Sequence, residues 1–219
     1  MATSGTTTFE LDVSDTIEEA YERLQIELRS GYQAKTARRS LNLLLQHLSN
    51  KQINLWKLVL TSQALVQGTT SYTLASNITD ITDVVLRRDG KDTTMGRLSR
   101  AEYQTRPNKT TQGRPSQFWL ERLVTPVLHI YQAPSNSTDT VRFYAMERIE
   151  DISTAQNTIN IPSRFLPAIT SGLTYYLAQK FKPERIADTK MLYEEELNQA
   201  LDEDRERVPF KVIPKIARV

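Results

Sequence analysis

Apolar residues recur at helical spacing near both ends of this 219-residue chain and at strand spacing between them, which limits the folds open to it. Ile17, Ala20, Tyr21, Leu24 and Leu28 share one helical stripe. Asp15-Thr-Ile-Glu18 has capping-box spacing at its start, and Gly31 stands where a left-handed residue would end it. A second helix is predicted over 36–49, with Ala37, Leu41, Leu44, Leu45 and Leu48 on its stripe. Joined by a short linker, the two form an antiparallel pair that needs a third element to finish its core. Helical spacing returns at Ser163 or Arg164, with Pro167 in the first turn, and runs to Phe181. The broad apolar face of this helix supplies the third element. Pro183 opens a last helix reaching about Arg207.

Between these ends lie short runs rich in β-branched and aromatic residues: 56–60, 71–74, 81–88, 93–98, 117–122, 127–132 and 140–147. Asp89-Gly90 is a hairpin signal between the third and fourth runs. Ser99-x-x-Glu102 caps a short helix reaching Tyr103, and 105–116 reads as a long aperiodic loop. The predicted fold is therefore α+β. Segments 1–54 and 162–207 build a helical bundle, 55–161 is an inserted antiparallel β domain, sandwich- or barrel-like, and 208–219 is an extended tail.

Composition narrows the chemistry. Twenty-eight Lys and Arg against 26 Asp and Glu leave a net charge of +2, too little to attract nucleic acid or a membrane strongly. The absence of cysteine removes disulfides, thiol catalysis, iron–sulfur clusters and Cys-ligated zinc, and fits a reducing compartment. Neither a signal peptide nor a membrane span is expected. The glycines at 5, 31, 68, 90, 96, 113 and 172 have neither P-loop nor dinucleotide spacing. Of the two histidines, His47 sits near a helix end and His129 on the polar face of a strand, and no chemistry is expected at either. Acids outnumber bases nine to three between Glu184 and Glu206, but adjacent carboxylates on a helix diverge and read as a solvated face. No catalytic residue, metal site or cofactor is called for.

Two features exceed the needs of a self-contained monomer. One is the polar loop, with Arg106, Asn108, Lys109, Gln112 and Arg114. The other is the tail, whose Val208, Phe210, Val212, Ile213, Ile216 and Val219 alternate with Lys211, Lys215 and Arg218 around two prolines. Disordered tails are usually poorer in such apolar residues, so an arm docking in a partner's groove explains it better than a fold-back.

Several stretches resemble the head-to-tail adaptor, or tail tubular protein A, family of short-tailed phages. They are Glu18-Glu-Ala-Tyr-Glu-Arg23, Thr36-Ala-Arg-Arg-Ser-Leu-Asn42, Ile53-Asn-Leu-Trp56, Asn108 to Ser116, Met146 to Asp151, Arg164-Phe-Leu-Pro167 and Tyr193-Glu-Glu195. Their order matters more than any single one. The resemblance implies a structural virion protein: a twelve-copy ring between portal and tail nozzle, lining a channel for double-stranded DNA that it touches non-specifically. It makes the tail residues portal-binding, with assembly in the host cytoplasm, while the loop's length and scarcity of apolar groups turn its residues toward a neighbouring subunit or the nozzle. An interaction module of another phage tail or neck assembly is the alternative. A glycan hydrolase would need a carboxylate pair that the sequence does not identify.

Overall fold

The computed structural model describes residues 5, 9, 11–51, 55–154 and 158–205. The architecture is α+β, with helices and antiparallel sheets segregated along the chain. It divides into two compact units, one from the described residues of 1–44 and 153–219, the other from Leu45–Ile152.

In the helical unit, α1 (Val13–Arg23) buries Val13, Thr16, Ile17, Ala20 and Tyr21. It starts a turn earlier than the Asp15–Glu18 box predicts, with Asp12 as an N-cap whose side chain makes no capping bond. Burial of Val13 draws it into the helix, and Asp15 becomes a first-turn acid that complements the helix dipole. The helix also ends early, where Gln25 takes a left-handed φ of 56°. Gly31 does not close α1; it opens α2 (Gly31–Lys51). The capping box here is Ser30-Gly-Tyr-Gln33: Gln33 Oε1 accepts from the Ser30 N–H at 3.2 Å, and the Gln33 N–H donates to Ser30 Oγ at 3.4 Å.

α4 (Leu166–Phe181) is the central helix of the unit, buried on most of its circumference. Its Thr170 and Thr174 hydroxyls donate to carbonyls one turn back, so burying them leaves no hydroxyl unsatisfied. At Gly172 a Cβ would stand 2.9 Å from both Leu44 Cδ1 and Tyr193 Cε2, so any larger residue must push these two side chains aside. α5 (Ile186–Glu203) packs on α4 through Tyr193, Leu197 and Ala200. An ion pair between Arg164 and the buried Asp204 ties the start of this segment to its end. Lys180 Nζ donates to Ser40 Oγ at 2.7 Å, joining α4 to α2.

The β unit stacks two four-stranded sheets. The first has the order β1 (Leu58–Ala64), β10 (Thr140–Glu147), β3 (Ile78–Arg88) and β4 (Lys91–Thr94), all antiparallel. The second has the order β2 (Ser71–Thr73), β8 (Val127–Tyr131), β7 (Gln117–Glu121) and β5 (Gly96–Arg97), with β5 parallel to β7. Alternate residues such as Phe118, Leu120, Leu128, Ile130, Val141 and Phe143 point inward and form one apolar core. At the Asp89-Gly90 hairpin both residues take positive φ, 49° and 75°, as a type I′ turn requires. The return strand is shorter than the predicted 93–98: after β4 the chain crosses at Met95 and enters the other sheet as β5. Buried Asp139 is held by the Arg88 guanidinium, which fastens the β3 hairpin to the start of β10. β1 and β4 are the outer strands of the first sheet, and among the described residues nothing pairs with the outer side of β1.

Candidate functional site

The loop singled out from sequence follows a short helix, α3 (Arg100–Thr105). Its expected capping box forms: Ser99 N–H donates to Glu102 Oε2 at 2.7 Å, and Glu102 N–H to Ser99 Oγ at 3.2 Å. The Ser99 backbone bond, followed by its side chain, holds the Glu102 carboxyl below the usual carboxylate range. Tyr103 is buried, and burial pushes its phenol pKa up.

The loop is ordered by polar contacts and not by an apolar core of its own. Arg106 lies over the Tyr131 ring at 5.7 Å, and Lys109 lies 5.4 Å from the centre of the Tyr103 ring while donating to Gln104 O. Asn108 takes a left-handed φ of 43° and accepts from Thr110 Oγ1. Gln112–Gly113 form a strand, β6, parallel to β9 (Ala133–Pro134), an element that the missing periodicity concealed. Gln112 Oε1 accepts from Gln67 Nε2 at 3.2 Å, and Arg114 donates to Thr93 Oγ1 at 2.6 Å. Asn108, Gln112 and Arg114 are exposed; Arg106 and Lys109 are half-buried against the unit that carries them.

Beside the loop, His129 joins a network that sequence reasoning did not assemble. Strand register sets Ser71 directly opposite it, with Ser71 Oγ 2.9 Å from Nδ1. Glu121 Oε2 lies 3.1 Å from Nε2. The ring stacks on Trp119 at 4.7 Å and 16°, and Tyr103 closes over both rings at 5.4 and 5.2 Å. A Ser–His–carboxylate chain could polarise the serine hydroxyl in principle. Here the stacked rings make the imidazole a peg that holds α3 on the second sheet. The alternation of Leu128 and Ile130 located His129 on the outer face, while its partners depend on register, which one strand's sequence does not contain. His47 is exposed on α2.

Among the described residues no three His, Cys, Asp or Glu side chains gather to hold a metal ion, and no helix is long and apolar enough to cross a membrane. The tail residues Val208, Phe210, Lys211, Val212, Ile213, Lys215, Ile216, Arg218 and Val219 lie outside the described residues.

Over residues 9–212 the chain matches a family of phage head-to-tail adaptors, structural and non-enzymatic components of the virion neck and tail that meet other portal or tail components. This is the SU10 adaptor protein family, and the chain belongs to it. No curated protein matches the chain.

Proposed function

We propose that the chain forms a ring, of twelve copies, that joins the portal to the tail nozzle and surrounds a channel for double-stranded DNA. Family membership over nearly the whole length carries this reading. The ring assembles in the host cytoplasm and touches passing DNA non-specifically, consistent with a net charge of only +2.

Docking on the portal falls to the tail. Phe210, Val212, Ile213 and Ile216 gain roughly 25 cal/mol per Å² on entering a groove. Ordering each tail residue costs about 1–2 kcal/mol, so one copy binds weakly and a ring of linked copies binds tightly through effective concentration. Lys211, Lys215 and Arg218 favour an acidic groove. The exposed Asn108, Gln112 and Arg114, with Arg106 and Lys109 behind them, face a neighbouring subunit or the nozzle.

Truncation after Arg207 tests the first assignment by co-sedimentation with portal. A folded, soluble chain that no longer joins the portal is expected, and normal affinity would overturn the tail's role. Deleting the loop would also remove β6, so Asn108→Ala with Arg114→Ala tests the second assignment more cleanly. Impaired nozzle recruitment with an unchanged melting temperature is expected.

A further inference from the structure

The β unit carries a polar cleft of about 710 Å³, walled by the end of α2, by β3 and by the chain after β7 and β10. Arg97, Arg122 and Arg148 line it together with Gln46, Asn50 and Met146. Asp80, the acid on its wall, lies 2.6 Å from Arg97 Nη2, so that charge is already met. Arg122 and Arg148 are exposed and have no ion-pair partner among the described residues. Two uncompensated guanidiniums beside amides and a methionine make a site for something acidic with an apolar contact.

The same chain carries that surface. α5 holds six acids and one base. Along its exposed strip run Asp188, Met191, Glu195 and Asp202, at helical steps of three, four and seven. Met191 is 68% exposed, an unusual fraction for a methionine on a helix packed into a core. Asp202 is paired with Arg205, whereas Asp188 and Glu195 have no partner among the described residues. Seven residues of helix separate these two acids by about 10 Å on one face.

We propose that the cleft is an inter-subunit site that receives the outer face of α5 from a second copy of the chain, Arg122 and Arg148 meeting Asp188 and Glu195, and Met146 meeting Met191. This rests on the ring reading above and names the surfaces that join its copies. A contact between two different surfaces repeats head to tail and forms a ring where its rotation closes, as an isologous contact does not. Duplex DNA is the competing occupant. Two free cations would neutralise about two phosphates, which is too few for firm binding at physiological salt.

The chain has no cysteine, so introduced thiols report without background. Full-length chain carrying Arg148→Cys is mixed with full-length chain carrying Glu195→Cys, with and without portal, and oxidised. A heterodimeric disulfide formed faster than either homodimer is expected. Charge reversal supplies the second arm. Arg122→Glu with Arg148→Glu, and separately Asp188→Lys with Glu195→Lys, should each weaken self-association or ring closure roughly tenfold. Mixing the two variants should restore it.

Absence of the heterodimeric cross-link under both conditions overturns the proposal, as does weakening without rescue. So does a duplex of 30 base pairs bound in an Arg122- and Arg148-dependent way while the cross-link fails, which assigns the cleft to DNA. Failure of the ring reading is read separately, as a cross-linking chain that does not bind portal.

Discussion

The two units bury comparable cores but are built from the chain in opposite ways. The β unit is one continuous run, Leu45–Ile152, whereas the helical unit joins two segments with that whole run between them. Closing a flexible loop of that length costs roughly 4 kcal/mol beyond the constant term. The cost falls once the inserted run is folded and its ends are held in place. Order in the β unit therefore lowers the entropic cost of assembling the helical unit, and a formed helical unit returns the same coupling free energy to the β unit. Polar groups follow the same division. Thr170 and Thr174 are satisfied within their own helix, while Asp139 of the β unit depends on Arg88, 51 residues away.

Both tryptophans, Trp56 and Trp119, belong to the β unit, so their fluorescence reports that unit while far-ultraviolet circular dichroism reports mainly helices. The largest effect is expected from Phe143→Ala, which empties the centre of the β core and costs about 3–5 kcal/mol. Both signals should shift together in a thermal melt. A helical transition unmoved by this change would break the coupling.

Gly172→Ala is expected to act directly on the helical unit. Its methyl meets Leu44 and Tyr193, at about 1–3 kcal/mol, offset by up to ~1 kcal/mol of helix propensity. The dichroism midpoint should fall by more than the fluorescence midpoint.

His129→Gln removes the stacked ring and its bonds to Ser71 and Glu121, at about 1 kcal/mol, and should alter Trp119 emission while both midpoints fall slightly and together.

The smallest effect has the opposite sign. Tyr193 buries a hydroxyl that has no hydrogen-bond partner among the described residues, and desolvation, aided by Tyr176 and Glu194, pushes its pKa up to about 12. Tyr193→Phe should stabilise by up to ~1 kcal/mol. Below the ordinary value of 10.0 both folded and unfolded chains keep the proton. Above it the unfolded chain releases the proton first, so stability falls as pH climbs toward about 12. The Phe variant should have a shallower slope, as pH-jump denaturation would show, the remainder coming from the other buried tyrosines such as Tyr21 and Tyr103.

Periodicity revealed which segments are helices and strands, because burial on one face is written in single segments. Helix ends were less legible. Three boxes of the form acceptor-x-x-Glu/Gln occur near helix starts, and those at Ser30 and Ser99 form while that at Asp15 does not. Packing of Val13 decided the last case, and no local pattern encodes it. The Asp89-Gly90 turn was plain, yet the crossing at Met95 was not, since alternation tells which side of a strand is buried and not which sheet it joins. The loop's polar residues were visible in sequence; the β6–β9 pairing and the rings that hold them were not, because each needs a partner far along the chain. The same holds for the arginine cleft.

The outer strands of the first sheet differ in a way that bears on the protein's life before assembly. β4, Lys-Asp-Thr-Thr, is short and charged, a guarded edge. β1, Leu-Val-Leu-Thr-Ser-Gln-Ala, is seven residues long with neither a charge nor a proline, and Val59 and Leu60 are 42% and 48% exposed. Open backbone groups on such a strand template pairing with any other extended chain. Loss by that route grows with the square of free concentration, whereas incorporation that covers the edge removes it. The same edge therefore sets an expectation for the unincorporated chain: self-association that steepens with concentration and falls away once the edge is covered.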